Sequence, residues 1–248
     1  MRVDNRSVTV RIHAPRRGTP AGVILQVPGG GFYLSSAAAD DSHNRMMADA
    51  LDVVVVSVDY RLAPEHPWPA APDDCELVAL WLAEHAERQF GTAALAIGGF
   101  SAGSTLAVTT LLRLRDRGTS PFMAAALQFG TYDLSARTPA GRLIADEYFL
   151  EAYLGHMDER TDPDISPIFA ALTGLPPTLL VVGAEDILLH DNLAMAARLS
   201  AAGVDVDLRV YPAAPHGFTH HRTAMAQAAT ADIHAWLSQA LRPSGSRN

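Results

Sequence analysis

Residues 94–106 read Ala94-Leu95-Ala96-Ile97-Gly98-Gly99-Phe100-Ser101-Ala102-Gly103-Ser104-Thr105-Leu106. The first five form an apolar run of strand length, and beyond Gly103 the pattern becomes that of a helix over 102–116. Between them lies Gly-x-Ser-x-Gly. A turn that passes from strand to helix this tightly leaves no room for side chains two positions before and two after its apex. The central serine is then held in a strained conformation with its hydroxyl exposed. The pattern alone can arise by chance in a glycine-containing chain; its position at a strand-to-helix junction gives it meaning.

The same alternation of apolar run and helical pattern recurs along the chain. Apolar runs at Val8–His13, Val23–Val27, Val53–Val58, Ala94–Gly98, Ala124–Phe129, Leu179–Gly183 and Val206–Tyr211 are expected strands. Helical patterns fall near 39–51, 73–89, 102–116, 145–154, 190–202 and 222–241. Val53-Val54-Val55-Val56 and Leu179-Leu180-Val181-Val182 are continuously apolar, as strands buried on both faces require. Strands alternating with helices predict an α/β fold with a mostly parallel sheet covered on both sides. In such folds the chemistry lies beyond the carboxyl ends of the strands.

Three further segments occupy such ends. After Val27 come Pro28-Gly29-Gly30-Gly31-Phe32, whose unshielded backbone N–H groups suit an oxyanion-binding loop. A flexible turn or a phosphate loop is the alternative, but no helix or lysine follows at once. After Gly183 come Ala184-Glu185-Asp186, and after Tyr211 comes His216-Gly217-Phe218. The order serine, acid, histidine is the one expected of this architecture. Ser101 needs His216 to take its proton, and His216 needs a carboxylate to fix its tautomer. Asp186 is chosen by its place at the strand end; Glu185 points the other way, and Asp191 lies a turn into the next helix. His220 and His221 are expected at the surface, at the start of the last helix.

Composition excludes several chemistries. All 19 basic residues are arginine. Without a lysine there is no Schiff base, no P-loop lysine and no Ser-Lys dyad. The net charge of −8 argues against nucleic acid, and the basic cluster Arg113, Arg115 and Arg117 reads as the solvated end of a helix. Cys75 is the single cysteine and is read as a small core residue. No His-x-x-x-His pair with a nearby carboxylate appears, so no metal is expected. No apolar run is long enough to span a bilayer, and the N-terminus lacks the apolar stretch of a signal peptide; a cytoplasmic protein is expected.

These residues resemble the hormone-sensitive-lipase family of α/β-hydrolase esterases, from about Val8 to Trp236. The most specific part is Asp59-Tyr60-Arg61-Leu62-Ala63-Pro64-Glu65-His66-Pro67-Trp68-Pro69-Ala70-Ala71-Pro72-Asp73-Asp74. Residue chemistry alone makes this a proline-rich loop leading to a helix capped by Asp73. Asp164-Ile165-Ser166-Pro167, Leu175-Pro176-Pro177-Thr178 and His216-Gly217-Phe218 add to the likeness. The resemblance implies one α/β-hydrolase domain over 1–242, with 243–248 a frayed polar tail. It implies Ser101 as nucleophile, His216 as base, Asp186 as orienting acid, and the N–H groups of Gly30, Gly31 and Ala102 as oxyanion hole. No cofactor is required and the partner is a small ester; the sequence does not settle oligomerisation, and a homodimer paired through an edge strand near Val206–Tyr211 is suggested by analogy alone. An amidase such as an arylformamidase, or a non-catalytic ligand receptor on the same scaffold, is the competing reading.

The chain departs from the family pattern in three ways. Pro28 stands where histidine is usual, so the glycine loop loses side-chain anchoring or is braced differently. Phe100 and Ser104 replace aspartate and glycine beside the nucleophile. Only seven residues precede Val8, where the family usually has a helical cap, so either a cap-less variant or a shortened N-terminus is expected. The acyl pocket should then be open, formed by Phe32, Tyr33 and the segment 143–154 including Tyr148, with Phe100 tuning it, and should favour short acyl chains.

Overall fold

The apolar runs assemble into one seven-stranded sheet. The computed structural model describes residues 1–3, 6–16, 18–34 and 36–242; the tail expected at 243–248 lies outside the described residues. The strands are β1 (Arg2–Val3), β2 (Arg6–Ser7), β3 (Thr9–His13), β4 (Val23–Val27), β5 (Val54–Asp59), β6 (Leu95–Phe100), β7 (Phe122–Gln128), β8 (Thr178–Gly183) and β9 (Val206–Tyr211). The helices are α1 (Asp41–Leu51), α2 (Ala70–Phe90), α3 (Ala102–Asp116), α4 (Pro139–Arg142), α5 (Tyr148–Leu154), α6 (Leu189–Ala201) and α7 (Ala224–Ala240).

In the main sheet the order is β3-β5-β4-β6-β7-β8-β9, and only β3 runs antiparallel to its neighbour. The two-residue strands β1 and β2 pair as a separate hairpin. Successive strand residues face opposite sides, and both sides are apolar. Ile24 and Val55 pack with Met47 and Ala48 of α1 and Ile233 and Leu237 of α7. Val23, Leu25, Val54 and Val56 share the opposite core with Val78 and Leu82 of α2, Leu106 of α3 and Met195 of α6. Each such side chain, fully withdrawn from water, contributes about 1.5–3 kcal/mol before conformational entropy is charged against it. Strand β4 is flanked by β5 on one side and β6 on the other, so strand addition changes direction there. That change opens a crevice at the carboxyl ends of β4 and β6. The glycine loop and Ser101 both follow strands at this point.

Two expectations need correction. Asp73 does not cap α2, which starts at Ala70 with Pro69 in the capping position. Pro72 is harmless in the first turn, where backbone N–H groups have no helical acceptor in any case. Asp73 instead accepts a hydrogen bond from Arg113 at 2.8 Å. Nor is the arginine cluster a solvated helix end. The Arg113 side chain, 18% exposed, donates to Asp73, Glu76 (3.1 Å) and Asp164 (2.6 Å). Arg117 reaches Glu76, and Arg115 reaches the carbonyls of Ala171 and Thr173. The cluster fastens α3 to α2 and to the 162–173 segment. Cys75 is fully buried, and burial pushes its thiol well above the ordinary range.

Candidate active site

Ser101 links β6 to α3 with φ +53° and ψ −125°, a left-handed conformation costly for a residue with a Cβ. The flanking glycines show why the turn tolerates nothing larger. A Cβ on Gly99 would lie 2.3 Å from the Gly103 carbonyl oxygen, and one on Gly103 would lie 2.1 Å from the Val27 oxygen. The turn is held from beneath. The Ser101 N–H donates to the Gln128 carbonyl of β7 at 2.9 Å. The buried Ser104 hydroxyl, with one proton to share, lies 2.8 Å from the Gly99 carbonyl oxygen and 3.0 Å from that of Gln128, and accepts the Gln128 N–H at 3.1 Å. The serine found in place of the usual glycine therefore ties the turn to the neighbouring strand.

The other two side chains arrive from the far end of the sheet. The end of β8 and the loop after β9 touch so closely that a Cβ on Gly183 would sit 1.9 Å from the Ala214 oxygen. The N–H groups of Ala184 and Glu185 donate to the carbonyls of Tyr211 (2.8 Å) and Ala214 (3.1 Å). This clamp puts Asp186 under His216. Asp186 is 5% exposed and accepts the Leu188 N–H at 2.8 Å. His216 Nδ1 lies 3.0 Å from both Asp186 oxygens, and its Nε2 lies 3.0 Å from Ser101 Oγ. With Nδ1 protonated toward the carboxylate, Nε2 is left to accept the serine proton. Thr219 donates to the Gln128 side chain at 2.9 Å, which anchors the histidine loop to the same strand end that holds Ser101. Glu185 is exposed, and among the described residues Asp186 is the carboxylate that meets His216. Asp191 is buried, accepts the N–H groups of Tyr132 and Asp133, and has its carboxyl pushed up to about 6 by burial.

Gly30, Gly31 and Ala102 line one cavity with Ser101 and His216. Among the described residues none accepts a hydrogen bond from the N–H of Gly30, Gly31 or Ala102, so these donors are available to a ligand. The loop is braced without the missing histidine, because the Tyr60 hydroxyl lies 2.9 Å from the Pro28 carbonyl oxygen and 3.3 Å from that of Gly29.

The cavity measures about 520 Å³, and Tyr33 and Phe100 line it. Phe32 does not. It is fully buried, stacked on Tyr153 at 4.1 Å behind the glycine loop, and serves packing. Its backbone takes φ +64°, in the left-handed region uncommon for a residue with a bulky side chain. Tyr148 also stays off the wall; it is 59% exposed and stands edge-on to Tyr33 at 5.4 Å. Residues that sequence reasoning missed include Phe129, Thr131, Ile187 and Leu188. Phe129 ends an expected strand and Ile187 follows Asp186, so the strand-end rule pointed to both. His220, in a short turn before α7, is exposed at one edge but also lines the cavity, its ring 4.5 Å from Phe100. Among the described residues no cluster of three histidine, cysteine or acidic side chains is placed to hold a metal ion, and no helix is long and apolar enough to cross a membrane.

Residues 24–220 match the model of a family described as alpha/beta hydrolase fold. Carboxylic ester hydrolase LipN of Mycobacterium tuberculosis is 34% identical over 85% of this chain, which spans 61% of that protein's length. Carboxylesterase NlhH of the same species is 32% identical, with 90% of this chain and 75% of that protein aligned. The crystal structure of a hormone-sensitive lipase from a metagenome library superposes with a TM-score of 0.85 at 30% identity, covering 97% of this chain and 86% of the other.

Proposed function

This chain belongs to the alpha/beta hydrolase fold family, within its hormone-sensitive-lipase-like branch, and on that premise we propose that it is a serine carboxylesterase acting on small esters. The observation that carries the reading is the relay from Asp186 through His216 to Ser101, two contacts of 3.0 Å joining three strand ends. Ser101 Oγ attacks the ester carbonyl carbon while His216 Nε2 takes its proton. The negative charge forming on the carbonyl oxygen is met by the N–H groups of Gly30, Gly31 and Ala102. Collapse breaks the bond to the alkoxy oxygen, and His216 returns the proton to the departing alcohol. A water deprotonated by His216 then attacks the acyl-enzyme, and Ser101 is regenerated with release of the acid. Each step uses only groups of the chain.

The cavity favours short acyl groups in this reading. Leu34 and Ile187, which line it, are 54% and 47% exposed. Methylenes added beyond these two half-exposed side chains meet water rather than packed protein, so chain extension is rewarded weakly. The test is a series of p-nitrophenyl esters from acetate to dodecanoate. Maximal kcat/KM at butanoate or below is expected; a maximum at octanoate or beyond contradicts the short-acyl assignment, and no hydrolysis of any member by folded protein contradicts the esterase. The outer edge of β9, with Val210 43% exposed, is the surface through which two copies would pair.

A further inference from the structure

The charge of the catalytic cavity is one-sided. Among the described residues lining it there is no arginine, the chain has no lysine, and Glu147 is the single carboxylate besides the histidines. Desolvation against Phe100 and its neighbours holds His220 below its ordinary value, so that ring adds no positive charge near neutral pH. Glu147 occupies the capping position of α5 but makes no capping hydrogen bond. Among the described residues its side chain has no hydrogen-bond or ion-pair partner. It is an exposed carboxylate in a pocket wall, with no paired cation among the described residues.

Aromatic residues share its cavity. Phe149 and Tyr33 line the same cavity, and Tyr148 packs edge-on against Tyr33. This corner adjoins the reacting centre, since a Cβ on Gly31 would lie 3.1 Å from both the Tyr33 ring and the Phe149 side chain. A carboxylate next to aromatic faces attracts an organic cation twice, once by charge and once by the ring quadrupole. It repels a carboxylate-bearing ligand. We propose that this corner makes the cavity selective for substrates carrying an ammonium-type cation, with Glu147 as the specificity-determining residue and Tyr33 and Phe149 as its aromatic partners. The assignment rests on the esterase reading above. The chain's net charge of −8 adds a longer-range attraction for cations that salt will weaken.

The experiment is competitive inhibition of p-nitrophenyl acetate hydrolysis by choline and by its uncharged carbon isostere, 3,3-dimethylbutan-1-ol. It is run on the full chain and on Glu147→Gln, at low and high sodium chloride. The expected result is choline binding roughly 3- to 10-fold tighter than the isostere at low salt, as an exposed charge plus a ring contact provides. The preference narrows at high salt and falls in Glu147→Gln to the smaller part that the rings alone supply. Choline binding no tighter than the isostere, or a preference unchanged in Glu147→Gln, overturns this assignment and leaves the esterase reading standing. Folded protein that does not hydrolyse p-nitrophenyl acetate overturns both.

Discussion

Ser101 is held in its strained turn because Gly99 and Gly103 bring backbone segments so close that a Cβ on either would overlap a facing carbonyl, and Ser104 keeps them there. Its hydroxyl serves the Gly99 and Gln128 carbonyls and the Gln128 N–H in a fully buried position. Ser104→Ala removes these partners without relieving any crowding. A loss of about 1–3 kcal/mol in urea unfolding is expected, the cost of stranding buried polar groups. Activity should fall with it, since the same contacts fix the nucleophile; an unchanged urea midpoint and unchanged kcat/KM would show that the turn needs no such tie. Thr219 plays the matching part for the base. Thr219→Val keeps the shape but frees the histidine loop from Gln128. A lower kcat with KM little changed is the expected signature, because the substrate walls stay in place.

At the level of elements, the proline-rich segment between β5 and α2 is held by charge. Arg61 pairs with Asp74 at 2.8 Å, and Trp68 Nε1 donates to Asp164 at 3.0 Å. Arg113 of α3 gathers Asp73, Glu76 and that same Asp164. Arg113→Met would leave three carboxylates without their shared cation. Destabilisation of about 2–4 kcal/mol in chemical denaturation is expected, as for one partner removed from a mostly buried pair; a change below about 0.5 kcal/mol would mean solvent already screens the cluster. This network was not legible in the sequence, because its members lie far apart in the chain and meet only after α2 and α3 pack. The strands were legible. Val23–Val27 and Val206–Tyr211 run where their apolar pattern places them, and the others shift by one or two residues. The hairpin of β1 and β2 was not, since two residues a strand carry no periodicity. Ser101, Asp186 and His216 could be read from strand ends, and the structure brings those three together. Phe32 could not be placed, because nothing local distinguishes an aromatic turned into the core from one facing a ligand. Glu147 and His220 enter the cavity through packing alone.

For the molecule as a whole, buried titratable groups beside the site give stability a dependence on pH. Burial, with lesser repulsion from His220 and His234, lowers the His43 imidazole to about 4, and its Nε2 has no partner among the described residues. Between pH 6.5 and 4 the unfolded chain binds a proton that the folded chain refuses, so stability falls as the solution is acidified. Asp40 and Asp191, raised by burial to about 6, act oppositely. Below that pH the folded state takes up protons before the unfolded one does. His43→Gln isolates the first effect. Its unfolding free energy should lose on the order of 1–2 kcal/mol less than wild type between pH 6.5 and 4; parallel curves would show that His43 is hydrated in the folded state. All of this concerns the setting of a single relay, and that relay is reached most directly by intact-protein mass spectrometry after exposure to a fluorophosphonate. One adduct on Ser101 is predicted, absent in Ser101→Ala and formed about a thousand-fold more slowly in His216→Ala. Folded protein that takes up no adduct, or takes it up at another residue, would contradict the account.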